Sequence, residues 1–305
     1  MEVSPGLPQP VASAALVDAI LAFLGGGDPR AVSDIRPSLE REVDAAGAGA
    51  LDALRARMHA DSGWAYYPGD PLARRIHHLL ADRYLTADSR AEGIEHVEAV
   101  GAAPVIIVAN HLSYADANAI EVLLDRAGAG ELANRLTAIA GPKVFTSRER
   151  RFSSLCFGTL KVPQSAEVSS GEAVLNAREV AAAARRAIDV AHARLRAGDA
   201  LLLFGEGTRS RSGGMQHLLP ATARYLHASG AWVLPIGLAG TEALFPVNDA
   251  RLRPARVTLR AGRPLRADDL FAAARGNRRV VMDALGLTLA ALLPPRYRGV
   301  YGTGF

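Results

Sequence analysis

The sequence predicts an α/β fold, with a mostly parallel central sheet flanked by helices and a small helical domain ahead of it. Three observations carry that expectation. Residues 1–88 show helical periodicity and no convincing strand. Residues 89–305 alternate short apolar runs with helical stretches, the pattern of a parallel sheet with crossover helices. Two of those runs, Pro104–Ala109 and Ala200–Phe204, are apolar at every position. A strand covered by helices on both faces has that texture, whereas a half-exposed strand would alternate.

In the N-terminal part, Val11–Leu24 reads as a helix stopped by Gly25-Gly26-Gly27. Arg30–Ala46 follows, with a break near Pro37, and then Ala50–Ala60. A fourth helix starts cleanly, because Asp70 can cap its first amides and Pro71 sits where a missing N–H costs nothing. It runs to about Leu85.

In the C-terminal part, Leu136–Gly141, Gly158–Val162, Ala231–Leu238 and Arg256–Ala261 read as further strands. Glu172–Arg196 reads as a long helix closed by Gly198, and Leu218–Ser229 as a helix ending at Gly230. Asn277–Leu293 is a last helix, halted by Pro294-Pro295.

The 305 residues are 49% hydrophobic, which is a globular composition. The net charge of +4 and a pI near 9.5 suit anionic partners. Aromatic residues are only 6% and no basic run is interleaved with them, which counts against nucleic acid. Cys156 is the one cysteine, so the chain can build neither an internal disulfide nor a cysteine metal site. The stretch Met1–Pro10 lacks the basic residues of a signal peptide, and no apolar run reaches the ~20 residues of a spanning helix. The expected location is the cytoplasm. His59, His77 and His78 read as solvent-facing, and Cys156 as a small buried hydrophobe.

Ligands of α/β sheets bind beyond the carboxyl ends of the strands. After Ala109 comes Asn110-His111-Leu112-Ser113-Tyr114-Ala115-Asp116. A histidine there can act as a general base. A carboxylate five positions on can fold back in the first turn of a helix to fix its tautomer. After Phe204 comes Gly205-Glu206-Gly207-Thr208-Arg209-Ser210-Arg211. Two arginines in a Gly- and Ser-rich turn suit a phosphate, because guanidinium forks and backbone N–H groups converge. Glu206 cannot bind a phosphate; it could hold an acceptor hydroxyl or orient an arginine. Leu234-Pro235-Ile236-Gly237 has no ionisable group and reads as a wall.

The two segments together resemble the glycerolipid acyltransferase superfamily. Asn110-His111 with Asp116 matches its H-x4-D motif, and Phe204–Ser210 its F-P-E-G-T-R-S motif, with Gly205 in place of the proline. Val233–Gly237 looks like its V-P-x-x motif, and the resemblance covers roughly Arg90–Leu244. It implies that His111 deprotonates the acceptor hydroxyl, held by Asp116. It implies that Lys161, Glu206, Gly207, Thr208, Arg209 and Arg211 bind substrate, with Lys143 the alternative to Lys161.

The implied reaction is O-acyl transfer from acyl-CoA or acyl carrier protein to lysophosphatidate or glycerol 3-phosphate. No metal or cofactor is implied. A lipid product implies peripheral contact with an anionic membrane at its inner face. Arg148, Arg150 and Arg151 are candidates for that contact, with Arg275, Arg278, Arg279, Arg296 and Arg298 extending the same face. Competing readings keep the chemistry but change the acceptor to another lysolipid or a specialised metabolite, or keep only the fold in a non-catalytic lipid- or carrier-binding protein.

Overall fold

The computed structural model describes residues 10–24, 29–60, 63–146, 148–163, 177–246 and 252–302. In the N-terminal part, α1 (Pro10–Leu24) is followed by a 3-10 turn (Pro29–Ile35) and α2 (Arg36–His59). Pro37 lies in the first turn of α2 and does not break it. The interruption is at Gly47, whose φ of +78° leaves the helix. After β1 (Tyr66–Tyr67) comes α3 (Pro71–Tyr84). Asp70 caps α3 as expected, accepting from the amides of Leu72 and Ala73 at 3.0 and 3.1 Å.

The elements that follow are β2 (Arg90–Glu92), α4 (Ile94–Glu98), β3 (Val105–Ala109), α5 (Asp116–Arg126), α6 (Gly130–Asn134) and β4 (Leu136–Ala140). Next come α7 (Arg148–Leu155), β5 (Gly158–Lys161), α8 (Ala177–Arg196), β6 (Ala200–Phe204) and α9 (Ala223–Leu226). The chain continues through β7 (Trp232–Ala239), α10 (Thr241–Leu244), β8 (Thr258–Ala261), β9 (Leu265–Arg266), α11 (Ala267–Ala273) and α12 (Arg278–Leu292).

The strands form one sheet in the order β1-β5-β4-β6-β3-β7-β8-β2, with β9 also paired to β7. The five central strands, β5 to β7, are mutually parallel. Strand β8 runs against β7, and β1 against β5. Pro235 sits inside β7, where its missing N–H must do no harm. Its carbonyl accepts from Gly262 on the outer edge, so the N–H-less side lies on the edge where pairing passes from β9 to β8.

Two expectations change. The N-terminal part contains a strand, β1, whose two residues are too few to show a period. The helix expected over Leu218–Ser229 shrinks to α9. Residues 218 and 219 are instead tied elsewhere, the Leu218 amide to the Tyr301 hydroxyl at 3.0 Å and the Leu219 amide to the Gly205 carbonyl at 2.8 Å. Of the helix expected over Glu172–Arg196, residues 172–176 lie outside the described residues, as do the glycines 25–27 and the stretch 1–9.

Every residue of β3 is buried. Val105, Ile107 and Ala109 pack on one face, in a core that also takes Ile76 of α3, Leu39 of α2 and Val17 of α1. Ile106 and Val108 pack on the other, with Leu201 and Leu203 of β6, Ala191 of α8 and Leu285 of α12. The N-terminal helices therefore form a layer over the first face of the sheet.

That layer is pinned by one carboxylate. Glu121 of α5 is fully buried and meets Arg74 Nε at 2.7 Å, His78 Nε2 at 3.0 Å and His77 Nε2 at 3.4 Å. His77 and His78 are thus held between helices, His77 buried and His78 only partly exposed, while His59 is exposed as expected. Burial pushes Glu121 up, but the hydrogen bonds from His77 and His78 outweigh it and hold the carboxyl at about 2. Its contribution to stability is present above about 4.5 and is lost as pH falls towards about 2. Removing it leaves Arg74 and two imidazoles without their shared anion. Glu121→Ala is expected to cost about 3 kcal/mol by urea unfolding at neutral pH, and to lose that acid-range slope.

Candidate active site

Strands β3 and β6 are parallel neighbours, with Ala109 opposite Phe204. Their two following loops therefore leave the sheet side by side. Asn110 fixes the first loop to the neighbouring strand: its amide donates to the Leu238 carbonyl at 3.0 Å and accepts from the Leu238 amide at 2.7 Å. His111 comes next and is stitched to the second loop through its backbone. Its N–H donates to Glu206 Oε1 at 2.8 Å, and its carbonyl accepts from the Ser210 amide at 2.7 Å.

The His111 ring meets Asp116 Oδ2 through Nδ1 at 2.7 Å. Asp116 begins α5 and is fully buried, and the same oxygen accepts from the amides of Leu112 and Ser113 at 2.7 and 3.0 Å. A carboxylate fixed by two amides can only accept, so Nδ1 carries the ring proton and Nε2 is left with its lone pair. The other restraint on the ring is Phe204, stacked on it at 4.2 Å and 18°.

Glu206 is buried and pairs with no arginine among the described residues. Its second oxygen accepts from the Gln216 amide at 2.8 Å, so the carboxylate fastens both ends of its own loop to His111. Burial pushes its carboxyl up to about 7, against the pull of the two amides. Gly207 holds a φ of +71°, the turn that brings the following residues over the cavity. Gly205, where the family motif has proline, is packed under Leu218 and Met282, which a Cβ would approach within 3.1 and 3.2 Å.

Over this sheet end lies a cavity of about 1280 Å³, larger than most small-molecule sites. His111, Gly207, Thr208, Arg209 and Arg211 all line it. Asp116 and Glu206 sit behind its wall. Lys161 does not line it: the side chain is buried, with Nζ 4.7 Å from the Phe145 ring and 5.4 Å from the Trp64 ring. Lys143, the alternative, does line it. The cavity reaches both faces of the sheet. Leu80, Tyr84 and Phe157 wall the part on the α3 side, and Val180, Ile188 and Tyr225 the part on the α8 side.

One contributor, Tyr114, was not singled out from the sequence. Arg209 lies 3.6 Å from the Tyr114 ring centre and Arg150 lies 4.3 Å from the same centre. Tyr114 is thus the aromatic plate that gathers two guanidiniums at the cavity. Its only sequence signal is its place between His111 and Asp116. The basic cluster at 148–151 divides: Arg150 faces the cavity, while Arg151 is buried and donates to the carbonyls of Arg57 and Ala60 at the end of α2. The Arg148 side chain lies outside the described residues. Among the described residues no cluster of His, Cys, Asp and Glu could hold a metal, and no helix is long and apolar enough to cross a membrane.

The raised carboxyl of Glu206 gives a stability signature of definite sign. A carboxyl that is harder to ionise when folded contributes stability below about 4.5, and that stability is lost as pH rises through about 7. The component is expected to reach at most about 3 kcal/mol. Thermal unfolding followed across that range should show it in the wild-type protein and lack it in Glu206→Gln.

Residues 88–239, about half of the chain, match the family model described as Acyltransferase. A 1-acyl-sn-glycerol-3-phosphate acyltransferase of Cocos nucifera is 36% identical over 84 residues, which are 27% of this chain and 26% of that protein. The match thus spans about a quarter of the relative's length. The crystal structure of the 1-acyl-sn-glycerophosphate (LPA) acyltransferase PlsC from Thermotoga maritima aligns with a TM-score of 0.46 at 18% identity, over 93% of this chain and 97% of that one. Since the family match runs through both strand-end loops that build the cavity, the chain belongs to the acyltransferase family that this model describes.

Proposed function

We propose that this protein transfers a fatty acyl group from an acyl thioester, acyl-CoA or acyl carrier protein, to a hydroxyl of a glycerol-phosphate acceptor, lysophosphatidate or glycerol 3-phosphate, in phospholipid biosynthesis. It would act in the cytoplasm, in peripheral contact with the inner face of the membrane. The observation that carries the reading is the His111–Asp116 pair at 2.7 Å in the wall of an arginine-bearing cavity.

In this reading His111 Nε2 takes the proton of the acceptor hydroxyl as its oxygen attacks the thioester carbonyl. Asp116 holds the imidazolium that forms. The tetrahedral intermediate then breaks its C–S bond, and His111 returns the proton to the leaving thiolate. The acceptor oxygen is the nucleophile, so no acyl-enzyme forms. Arg209, Arg211 and the Gly207–Thr208 turn would bind the acceptor phosphate, with Lys143 better placed than Lys161 to assist. Glu206 would act by holding His111 in register with that turn. The apolar part of the cavity under α3 suits a hydrocarbon chain.

The test is acyl transfer measured with both donor classes against glycerol 3-phosphate, lysophosphatidate and a neutral lysolipid. His111→Ala should lower kcat about 10³-fold, and Asp116→Asn should cost a comparable factor by spoiling the tautomer. Arg209→Ala should raise KM for the phosphorylated acceptor more than it lowers kcat, with Arg209→Lys restoring part of the loss. Equal rates from wild type and His111→Ala would remove the general-base assignment. Preference for the neutral lysolipid would remove the phosphate acceptor.

A further inference from the structure

Four large hydrophobic side chains are exposed among the described residues: Leu219, Val280, Leu287 and Val300. They are not scattered. Val280 and Leu287 lie on α12, and the other two lie on the segments packed against it. The Tyr301 ring rests on Gly286 of α12, the Val300 amide donates to the Met215 carbonyl, and the Leu218 amide donates to the Tyr301 hydroxyl.

On α12 the exposed positions Val280, Ala284, Leu287 and Ala291 follow the spacing i, i+4, i+7, i+11. They make one apolar stripe facing away from the core, whose own side is filled by Met282, Leu285 and Leu289. At the N-terminal end of the stripe stand Arg224, Arg275, Arg278 and Arg279, all exposed and with no carboxylate partner among the described residues. Arg275 keeps a φ of +49°, a conformation glycine would adopt with less strain. The face also borders the catalytic cavity, because Leu219 and Arg224 line its rim.

We propose that this face of α12, with Val300 and the arginines at its end, docks on the surface of an anionic lipid bilayer. An apolar stripe flanked by cations is what an interfacial helix presents: the side chains enter the acyl boundary while the guanidiniums meet lipid phosphates. A second copy packed parallel along this stripe would bring the four arginines near another set of four, and a protein carrier that met the arginines alone would leave the stripe uncovered. Docking here sets the cavity rim at Leu219 against the membrane. The face is separate from the basic cluster at 148–151, where Arg151 is already buried. What docking delivers rests on the proposed acyl transfer, but docking itself is read without turnover.

The experiment is co-sedimentation of the full chain with vesicles of phosphatidylcholine alone and of phosphatidylcholine with phosphatidylglycerol. Wild type should bind the anionic vesicles and release as salt rises. Val280→Glu with Leu287→Glu should weaken binding about tenfold or more. Arg278→Glu with Arg279→Glu should lose the anionic preference, roughly fivefold per arginine. Both double variants should keep the wild-type melting temperature and wild-type turnover on a water-soluble acceptor, while losing turnover on acceptor embedded in vesicles. Wild type that ignores anionic vesicles, or variants that bind as wild type, would overturn the proposal. So would a wild-type dimer that the Val280→Glu/Leu287→Glu variant dissociates, since a second copy would then own the face. Vesicle binding without acyl transfer to any acceptor would leave the docking face standing and remove only the proposed reaction.

Discussion

The Glu206 carboxylate accepts the His111 amide with one oxygen and the Gln216 amide with the other, and the geometry of both strand-end loops follows from it. Parallel pairing of β3 and β6 brings those loops alongside each other but leaves their amides without sheet partners. Unpaired amides at a buried strand end are costly. One buried side chain satisfies one amide on each side, and the Ser210 amide closes the circuit on the His111 carbonyl. The imidazole is then positioned from behind, before Asp116 orients it from the side. Glu206 thus contributes to the site without lining the cavity.

The same sheet end explains the shape of the cavity. Side chains of β4 alternate between faces, so Ala138 and Ile139 wall different parts of one space. His111 stands at the carboxyl edge between them. An acyl chain can run under α3 while the polar reactants meet at the loops, so the two substrates need not share one path. The Glu121 network fixes α3 to α5, and so fixes the wall of the apolar part to the helix that begins with Asp116.

Much of this was legible in the sequence where one local signal sufficed. The strands β3 and β6 announce themselves as apolar runs, and α3 by Asp70-Pro71. His111 and Asp116 come together because a helix start folds a carboxylate back over a short span. Contacts set by the third dimension were not legible. Lys161 follows a strand and carries charge, yet the side chains of Trp64 and Phe145, far from it in sequence, cover it. Arg150 and Arg151 are adjacent and look alike, yet one faces the cavity and the other caps α2. Glu206 reads as a ligand in the sequence and becomes a fastener because the amides of His111 and Gln216 happen to converge on it. Tyr114 carries no periodicity, and only the positions of Arg150 and Arg209 reveal its part.

The charge gathered on Tyr114 bears on acceptor choice under the proposed reading. Both guanidiniums contact one ring, so their centres are at most about 8 Å apart. Two like charges at that distance repel by roughly 2 kcal/mol at an effective dielectric near 20, and by less once screened by salt. The ring quadrupole offsets part of this repulsion and holds the pair in place. An anion bound between them would attract both guanidiniums, which a neutral head group would not. Discrimination between a phosphorylated and a neutral acceptor would then come from the charge of the head group.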